Sequence, residues 1–556
     1  MSKKNKTASR SIFTSLREHF TTDLLSGFLV SLIALPLCLG IASASGFPPL
    51  MGVLTAIIGG IVIAFFAGSE LTIKGPAAGL IVIVAGAVEE LGRGNSEVGW
   101  HLTLGVGFCA ALLQIVSGQF KAAKIADFFP IAAVHGLLAA IGIIILSKQI
   151  HLMLGIAPSM LKDPISGKGL EPLELLEKIP HSILNLNPPI AFIGVVCLLV
   201  LFGWPALKSK LFKKIPPALI ALVLAIPLGM ALHLSPDLKD LAGKDLKPLV
   251  HVESILDHLG IQLSFAGATD PTLLPIFLKY VLMFFLVGSL ETVVSAKAID
   301  LLDPNKGKSD HSKDLQAVGI GNALSSILGG LPMISEIARS SANLNNGGKS
   351  RWANFFHGIF LLVYVLVLYK VINLVPVAAL SAMLVFVGFR LASPKEFMHM
   401  WHLGVEQFII FITTIIVTLA TDLLVGIAAG ILVNLLFHLV NGAPLSSLFK
   451  SGITITQPNS NTVVIELKNA ALFVHNVTTN GILNKLPKGK NVLVVLGETK
   501  LVDHSYLDNL NRFVEDYEEH GGKVAIVGLD NHKKLSNHPL AARINPDVTL
   551  EFLSFT

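Results

Sequence analysis

The chain has 556 residues, of which 52% are hydrophobic and 14% charged, with a mean hydropathy of +0.69. Soluble proteins carry about 25% charged residues, so a water-soluble enzyme or binding module is excluded by composition. The formal net charge of +5 comes from lysines concentrated in short loops and requires no nucleic-acid partner.

The first stretch, "MSKKNKTASRSIFTSLREHF", is basic and polar. No short apolar core with a small-residue cleavage site follows it, so residues 1–22 read as a cytoplasmic segment rather than a cleaved signal. Apolar runs long enough to cross a bilayer then recur. The first set covers 23–46, 48–68, a polar-interrupted 75–92, 100–119, 128–150, 188–204 and 215–232. The second covers 273–297, 314–330, a polar-interrupted 334–347, 352–375, 378–392, 406–420 and 422–440. About 14 segments are expected from this pattern, an all-α polytopic membrane protein with both termini on one side. Cys38, Cys109 and Cys197 lie within apolar runs without metal-ligand spacing and read as buried free thiols.

Loop charge supports that count. With a cytoplasmic N-terminus, the inner loops carry Lys121, Lys124, Lys208, Lys210, Lys213, Lys214, Lys306, Lys308, Lys313, Lys349, Arg351, Arg390 and Lys395, whereas the short outer loops carry little beyond Arg93. The expected domains are a first transmembrane repeat over 23–232, an extracytoplasmic loop over 233–272 and a second repeat over 273–440. The longer outer loops, about 151–187 and 233–271, are expected to hold short surface helices and no chemistry. From residue 451 the text changes to β-type runs, "NTVVIELKNAALFV", "KNVLVVLGE" and "KVAIVGL". The amphipathic "SYLDNLNRFVEDYEEHGG" between the last two ends in glycine, so 451–556 reads as a small α/β cytoplasmic domain.

Two segments score badly as spanning helices, "GSELTIKGPAAGLIVIVAGAV" and "LGGLPMISEIARSSANLNNGG", and each is third in its set. Paired broken helices at matching places are the mark of an inverted-repeat transporter with its site near the midplane. Pro76, lacking an amide hydrogen, suits a helix start just after Gly75. A half-helix from Gly75 and a second from about Met333 would aim free amides and partial positive charge at one another, which is an anion site. Small Ala77, Ala78 and Gly79 would let a ligand approach the backbone. The expected substrate-binding residues are Lys74, Gly75, Pro76, Ala77, Ile334, Ser335, Glu336 and Arg339.

Ionisable residues inside spans are functional candidates. Glu291, in "FFLVGSLETVVSAKAID", reads as a cation-coupling carboxylate for a proton or Na+, with Thr292 and Ser295 as oxygen ligands. Glu336 would cap the second half-helix, and taking up a proton as the anion arrives would give it a share in coupling. Lys74, a cation at a positive helix end, is expected to pair with Glu336, Glu70 or the substrate. Arg339 either neutralises a carboxylate, supplies positive potential or snorkels to the cytoplasmic face. His135 and His357, single histidines on apolar faces, read as satisfied packing residues. Paired acid/base catalysts, a Walker loop and metal-spaced His/Cys sets are lacking, so neither an enzyme nor a metal site is expected. The only cofactor-like ion anticipated is Na+ as coupling partner.

"DLLSGFLVSLIALPLCLGIASASGFPPLMGVLTAIIGGIVIAFFAGS" resembles the first two helices of SulP (sulfate permease) anion transporters. "DHSKDLQAVGIGNALSSILGGLPMISEIARSSANLNNGGKSRWANFFHGI" resembles that family's signature around the ninth to eleventh helices more specifically. The resemblance implies a seven-plus-seven inverted repeat divided into core and gate, elevator-type alternating access, a C-terminal STAS domain and a homodimer. It places the anion between the half-helices near Gly75 and Ile334, and matches Glu291 to the acidic cation-coupling position. "LGETKLVDHSYLDNL" is similar to the STAS loop entering its first main helix, with Ser505 of Asp503-His504-Ser505 at a candidate phosphorylation site. Many members have small or hydroxylated residues where Lys74 and Glu336 stand. The "GPAAGL" form resembles bacterial members of the bicarbonate type.

The function expected is secondary active transport of a small inorganic anion across the inner (plasma) membrane, bicarbonate first and sulfate next, coupled to Na+ or a proton. A C4-dicarboxylate or other organic anion, anchored by Lys74 and Arg339 together, is the alternative substrate. A channel-like or sensor protein that binds anion without transporting it is the alternative class.

Overall fold

The computed structural model describes residues 12–120, 128–162, 169–207, 215–235, 238–239, 245–252, 260–303, 309–483, 485–487, 489–519 and 521–548. Of the basic loop residues, Lys121, Lys124, Lys208, Lys210, Lys213, Lys214, Lys306 and Lys308 lie outside these. The chain forms two compact units, one of residues 1–123 and 141–390 and one of 124–140 and 391–556.

The first unit opens with α1 (Ile12–Ala44), α2 (Pro49–Ile61), a short strand β1 (Ile73–Pro76), α3 (Ile81–Gly92) and α4 (Ser96–Gln119). Helix α5 (Ile131–Met153) follows and contributes to both units; then come α6 (Pro172–Leu184), α7 (Pro188–Gly203) and α8 (Pro217–Ala231). After α9 (Ala266–Thr269) the opening order recurs: α10 (Leu274–Leu302), α11 (His311–Ile327), strand β2 (Met333–Glu336), α12 (Ile337–Asn345) and α13 (Trp352–Ile372). Helix α14 (Val377–Leu391) closes the unit.

Local chemistry sets many of these boundaries. Prolines open α2, α7 and α8, where a missing amide hydrogen costs nothing. The Asn95 side chain accepts from the amides of Glu97 and Val98 to start α4, and Asp310 accepts from Lys313 to start α11. Helices α4 and α11 pack together, as do α1 with α13 and α13 with α2. Glycines allow the close approaches: a Cβ on Gly52 of α2 would lie 2.1 Å from the Cys38 carbonyl of α1, and one on Gly60 2.6 Å from Gly358 of α13.

One expectation is met in part and one needs correction. Among the described residues, eight helices are long and apolar enough to span a membrane, with three shorter apolar ones, Pro49–Phe65, Pro217–Ala231 and Val405–Ala420. The expected spans at 75–92, 314–330 and 334–347 are instead the 12-residue α3, the polar-lined α11 and the nine-residue α12. Second, no helix begins at Gly75. Residues 73–76 pair antiparallel with 333–336, so Pro76 ends a strand and α3 starts only at Ile81.

The second unit holds the start of α5, then α15 (Pro394–Leu403), α16 (Val405–Ala420), α17 (Leu423–Val440) and an α/β domain. That domain contains β3 (Gly452–Asn459), β4 (Thr462–Ala471), α18 (Asn476–Leu483), β5 (Asn491–Val495), β6 (Thr499–Val502), α19 (His504–Glu519), β7 (Lys523–Val527), β8 (Lys533–Lys534) and β9 (Arg543–Ile544). Parallel β7, β5, β4 and β6 form its centre, with β9 and β8 beyond β6 and β3 antiparallel on β4. Val463, Ile465, Val492 and Val494 of the sheet pack against Tyr506, Leu507 and Leu510 of α19. The chain leaves α19 through Gly521 at φ +85°, a left-handed turn that suits glycine.

The α1–α2 contact carries a direct test. Gly52→Ala removes a helix-disfavoured glycine, yet its methyl collides with the Cys38 carbonyl, so overpacking at about 1–3 kcal/mol should dominate. The variant should melt several degrees lower in detergent; an unchanged or raised melting temperature would show that the two backbones are not in contact.

Candidate functional site

Strands β1 and β2 form a ribbon in which Ile73 opposes Glu336, Lys74 opposes Ser335, Gly75 opposes Ile334 and Pro76 opposes Met333. Buried non-helical backbone needs partners, and side chains from the surrounding helices supply them. Asn322 of α11 donates to the Met333 carbonyl at 3.1 Å and accepts from its amide at 2.6 Å. Gln114 of α4 accepts from the same Asn322 at 2.8 Å. Thr55 of α2 accepts from the Leu331 amide at 2.8 Å, Asn354 of α13 from the Lys74 amide at 3.2 Å, and Ser340 from the Ile73 amide at 2.8 Å. Asn343 donates to the Leu71 carbonyl at 2.9 Å. Of the polar run that makes 334–347 a poor spanning helix, Ser340 and Asn343 belong to this scaffold.

Neighbouring residues on a strand point to opposite faces, and the ribbon's two faces have different chemistry. On one lie Lys74 and Ser335. The Lys74 ammonium sits 2.9 Å from Asp314 of α11, both side chains being 0% exposed, and also donates to Thr72. Ser335 donates to the same carboxylate at 2.7 Å. This overturns the carboxylate partners expected for Lys74. Glu70 pairs instead with Arg351 at 3.1 Å, and Glu336 caps α12 by accepting from the Arg339 amide at 2.8 Å. Lys74 and Ser335, expected to contact substrate, are committed to Asp314.

On the other face stands Arg339, in the first turn of α12 and 1% exposed, so it does not snorkel. Its Nη2 donates to the Pro76 carbonyl at 3.1 Å, and its Nε lies 3.9 Å from the Glu336 carboxylate. Among the described residues, Nε and Nη1 have no hydrogen-bond acceptor. Leaving such groups unmet costs about 1–3 kcal/mol each, more when charged. Gly75 is what admits the guanidinium, since a Cβ there would lie 2.2 Å from Nη1. The Cys38 thiol and the His357 ring, both fully buried, lie within reach of the Arg339 charge. His357 differs from its expected satisfied state: neither ring nitrogen has a hydrogen-bond partner among the described residues.

Beyond β1, the turn Ala77–Leu80 leads into α3. Glu291 of α10 faces this turn so closely that a Cβ on Gly79 would lie 1.7 Å from its Oε1. Its Oε2, the Thr292 hydroxyl and the Ser289 hydroxyl are buried without hydrogen-bond partners among the described residues. Ser295 is buried one helical turn further on. Helix α10 packs against α3, β2 and α12, which Glu336 caps. The structure therefore gathers Gly75, Pro76, Glu336 and Arg339 at one locus, with Glu291 against the adjoining turn at Gly79; Thr292, Ala77 and Ile334 are buried.

Elsewhere, His135 is half-buried with Nδ1 3.1 Å from Glu396. Ser505 is buried, and its hydroxyl accepts from the Ile131 amide at the start of α5 at 3.1 Å, which closes it to a kinase in this conformation. Among the described residues, no group of three or more His, Cys, Asp or Glu is arranged to hold a metal. Asp314 was not among the expected site residues. Its signal was an acid in the first turn of a segment read as a span, four residues after the helix-capping Asp310.

The family model described as "Sulfate permease family" matches residues 20–414. The putative sulfate transporter YvdB of Bacillus subtilis is 27% identical over 523 residues, covering 93% of this chain and 93% of that protein. The bicarbonate transporter BicA of a Synechocystis species is 24% identical over 411 residues, covering 74% of this chain and 68% of BicA. The murine anion transporter Slc26a9 in its inward-facing state superposes with a TM-score of 0.65 at 14% identity, covering 94% of this chain and 90% of that one. A multi-pass membrane transporter of anions by that match, the chain belongs to the sulfate permease family.

Proposed function

We propose that this protein accumulates a small inorganic anion by secondary active transport, with Arg339 as the principal anion ligand. The observation that carries this reading is a buried guanidinium whose Nε and Nη1 have no acceptor among the described residues, set between two broken segments. A planar guanidinium fork suits bidentate binding of an oxyanion. The N-termini of α3 and α12 add partial positive charge from two directions. Gly75 and Gly79 keep side chains out of the locus.

Bicarbonate is the favoured substrate and sulfate the next. BicA and YvdB carry those two words in their names, and either anion can accept two hydrogen bonds from one guanidinium. A C4-dicarboxylate loses its support, because the second anchor it needed, Lys74, is held by Asp314 on the opposite face of the ribbon. Glu291, with Thr292 and Ser295, is the proposed cation-coupling group for Na+ or a proton, and Glu336, the cap of the neighbouring α12, shares in coupling. Bringing a cation to Glu291 beside an anion on Arg339 reduces the charge that must move.

In the same reading, the recurring order of α1–α4 and α10–α13 is half of a seven-plus-seven inverted repeat, divided into core and gate and working by elevator-type exchange. The domain from 451 is a cytoplasmic STAS domain, both termini face the cytoplasm of the inner membrane, and the working form is a homodimer.

Purified protein in liposomes tests this directly. Labelled bicarbonate should accumulate above its equilibrium level when an inward Na+ or proton gradient is imposed; simple equilibration with either gradient would identify a channel-like protein instead. Glu291→Gln should abolish that gradient-driven accumulation while anion binding persists, and full accumulation in this variant would remove Glu291 from coupling. Arg339→Lys keeps the charge but loses the fork, so the apparent KM for the anion should rise about tenfold or more. A wild-type KM would place the anion elsewhere.

A further inference from the structure

The ion pair on the far face of the ribbon is built with unusual completeness. The Lys74 ammonium has three donors, and all are used: Asp314 Oδ1 at 2.9 Å, Oδ2 at 3.1 Å, and the Thr72 hydroxyl. Asp314 in turn accepts from the Ser69 amide at 3.0 Å and from the Ser335 hydroxyl at 2.7 Å. The Lys74 backbone is also held, its amide donating to Asn354, which donates in turn to the Gly59 carbonyl at 2.9 Å. A Cβ on Gly59 would lie 2.8 Å from the Lys74 Cβ, so α2 presses directly on the base of this side chain. One buried charge pair thus ties α11, the segment 69–72, β1 and β2 together.

Lys74 and Ser335 occupy opposed positions in the ribbon, and the next pair along is Gly75 with Ile334. Whatever fixes the first pair fixes how Gly75 and the Pro76 carbonyl meet Arg339. An ion pair is a strong register device here, because sliding β1 against β2 by one residue would turn Lys74 away from Asp314 and leave both charges buried and unpaired. A neutral hydroxyl at position 74 would impose no such penalty.

We propose that Lys74, through Asp314, is a positioning residue for the anion site. It locks the register of β1 on β2, and with it the placement of Gly75 and Pro76 against the Arg339 guanidinium, without touching the anion. The inference rests on Arg339 being the anion ligand and assigns Lys74 a role other than substrate contact.

The test is gradient-driven uptake in liposomes, scored on protein that elutes as a single folded species, alongside melting temperatures. Asp314→Asn frees the Lys74 ammonium from its ion pair. With a positioning role, the apparent KM should rise about tenfold, with maximal rate changed less than about twofold. The exchange Lys74→Asp with Asp314→Lys, which restores a pair of reversed sense, should bring KM back toward wild type. If Lys74 were an anion ligand, freeing it in Asp314→Asn would leave KM unchanged or lower it, and the exchange would not restore affinity. If the pair were only structural, the melting temperature would fall with KM unchanged. Either result overturns the proposal.

Should the charge variants fail to fold, Ser335→Ala removes only the link from Asp314 to β2. It should still raise KM about threefold, and an unchanged KM overturns the proposal on its own. Arg339→Lys in the same assay separates the two layers. If it keeps wild-type KM, both the anion reading and this inference fall. If it loses affinity while Asp314→Asn and Ser335→Ala do not, the anion site stands and the positioning role alone fails.

Discussion

Irregular backbone in an apolar interior is the constraint on which the first unit is built. Both broken segments expose amides and carbonyls that no helix satisfies, and water does not solvate them at that depth. Pairing β1 with β2 satisfies part of this demand. Asn322, Asn354, Asn343, Thr55 and Ser340 satisfy much of the rest, each reaching in from a helix packed against the ribbon. Because most of these side chains bond one defined backbone group, the ribbon has one register. The two faces that follow from that register separate a closed ion pair, Lys74 with Asp314, from an open guanidinium, Arg339.

That separation explains how a mostly apolar region holds so many charges. Lys74 and Asp314 neutralise each other with every ammonium donor used, so the pair presents no free donor to an anion. Among the described residues, Arg339 has only a partial counter-charge in Glu336 at 3.9 Å and two N–H groups without acceptors. Glu291 across the locus carries the opposite need, a buried carboxylate oxygen without a donor. An anion at the first and a cation at the second satisfy both, which ties anion binding to cation binding by electrostatics rather than by a separate gate. Glycines at 75 and 79 are required by the same arrangement, because any side chain there would occupy the space of the guanidinium or the carboxylate.

Much of this was legible in the order of residues. Composition and apolar runs established a multi-pass membrane protein. The polar interruptions at matching places pointed to the right segments, and Glu291, Glu336 and Arg339 stood out as charges in apolar surroundings. The exact shape of the interruptions was not legible. "KGPAAG" reads as a helix start because proline lacks an amide hydrogen, but the same lack suits Pro76 at the end of β1, where a backbone amide would face away from the partner strand. The partner of Lys74 was hidden for a related reason. Asp314 lies 240 residues away, and no periodicity within either segment encodes a contact between α11 and β1. In the α/β domain, β4, β5 and β7 were visible as apolar runs, whereas β3 was not, because it is an exposed edge strand with a largely polar sequence.

The central claim is that the transported anion sits on Arg339 between the two broken segments. The most direct measurement is a density map of the protein in lipid nanodiscs, with and without a saturating concentration of whichever anion the liposomes accumulate. The account predicts new anion-dependent density within hydrogen-bond distance of Arg339 Nε and Nη1, beside Gly75. Density that arises elsewhere, with the guanidinium unchanged, would contradict it.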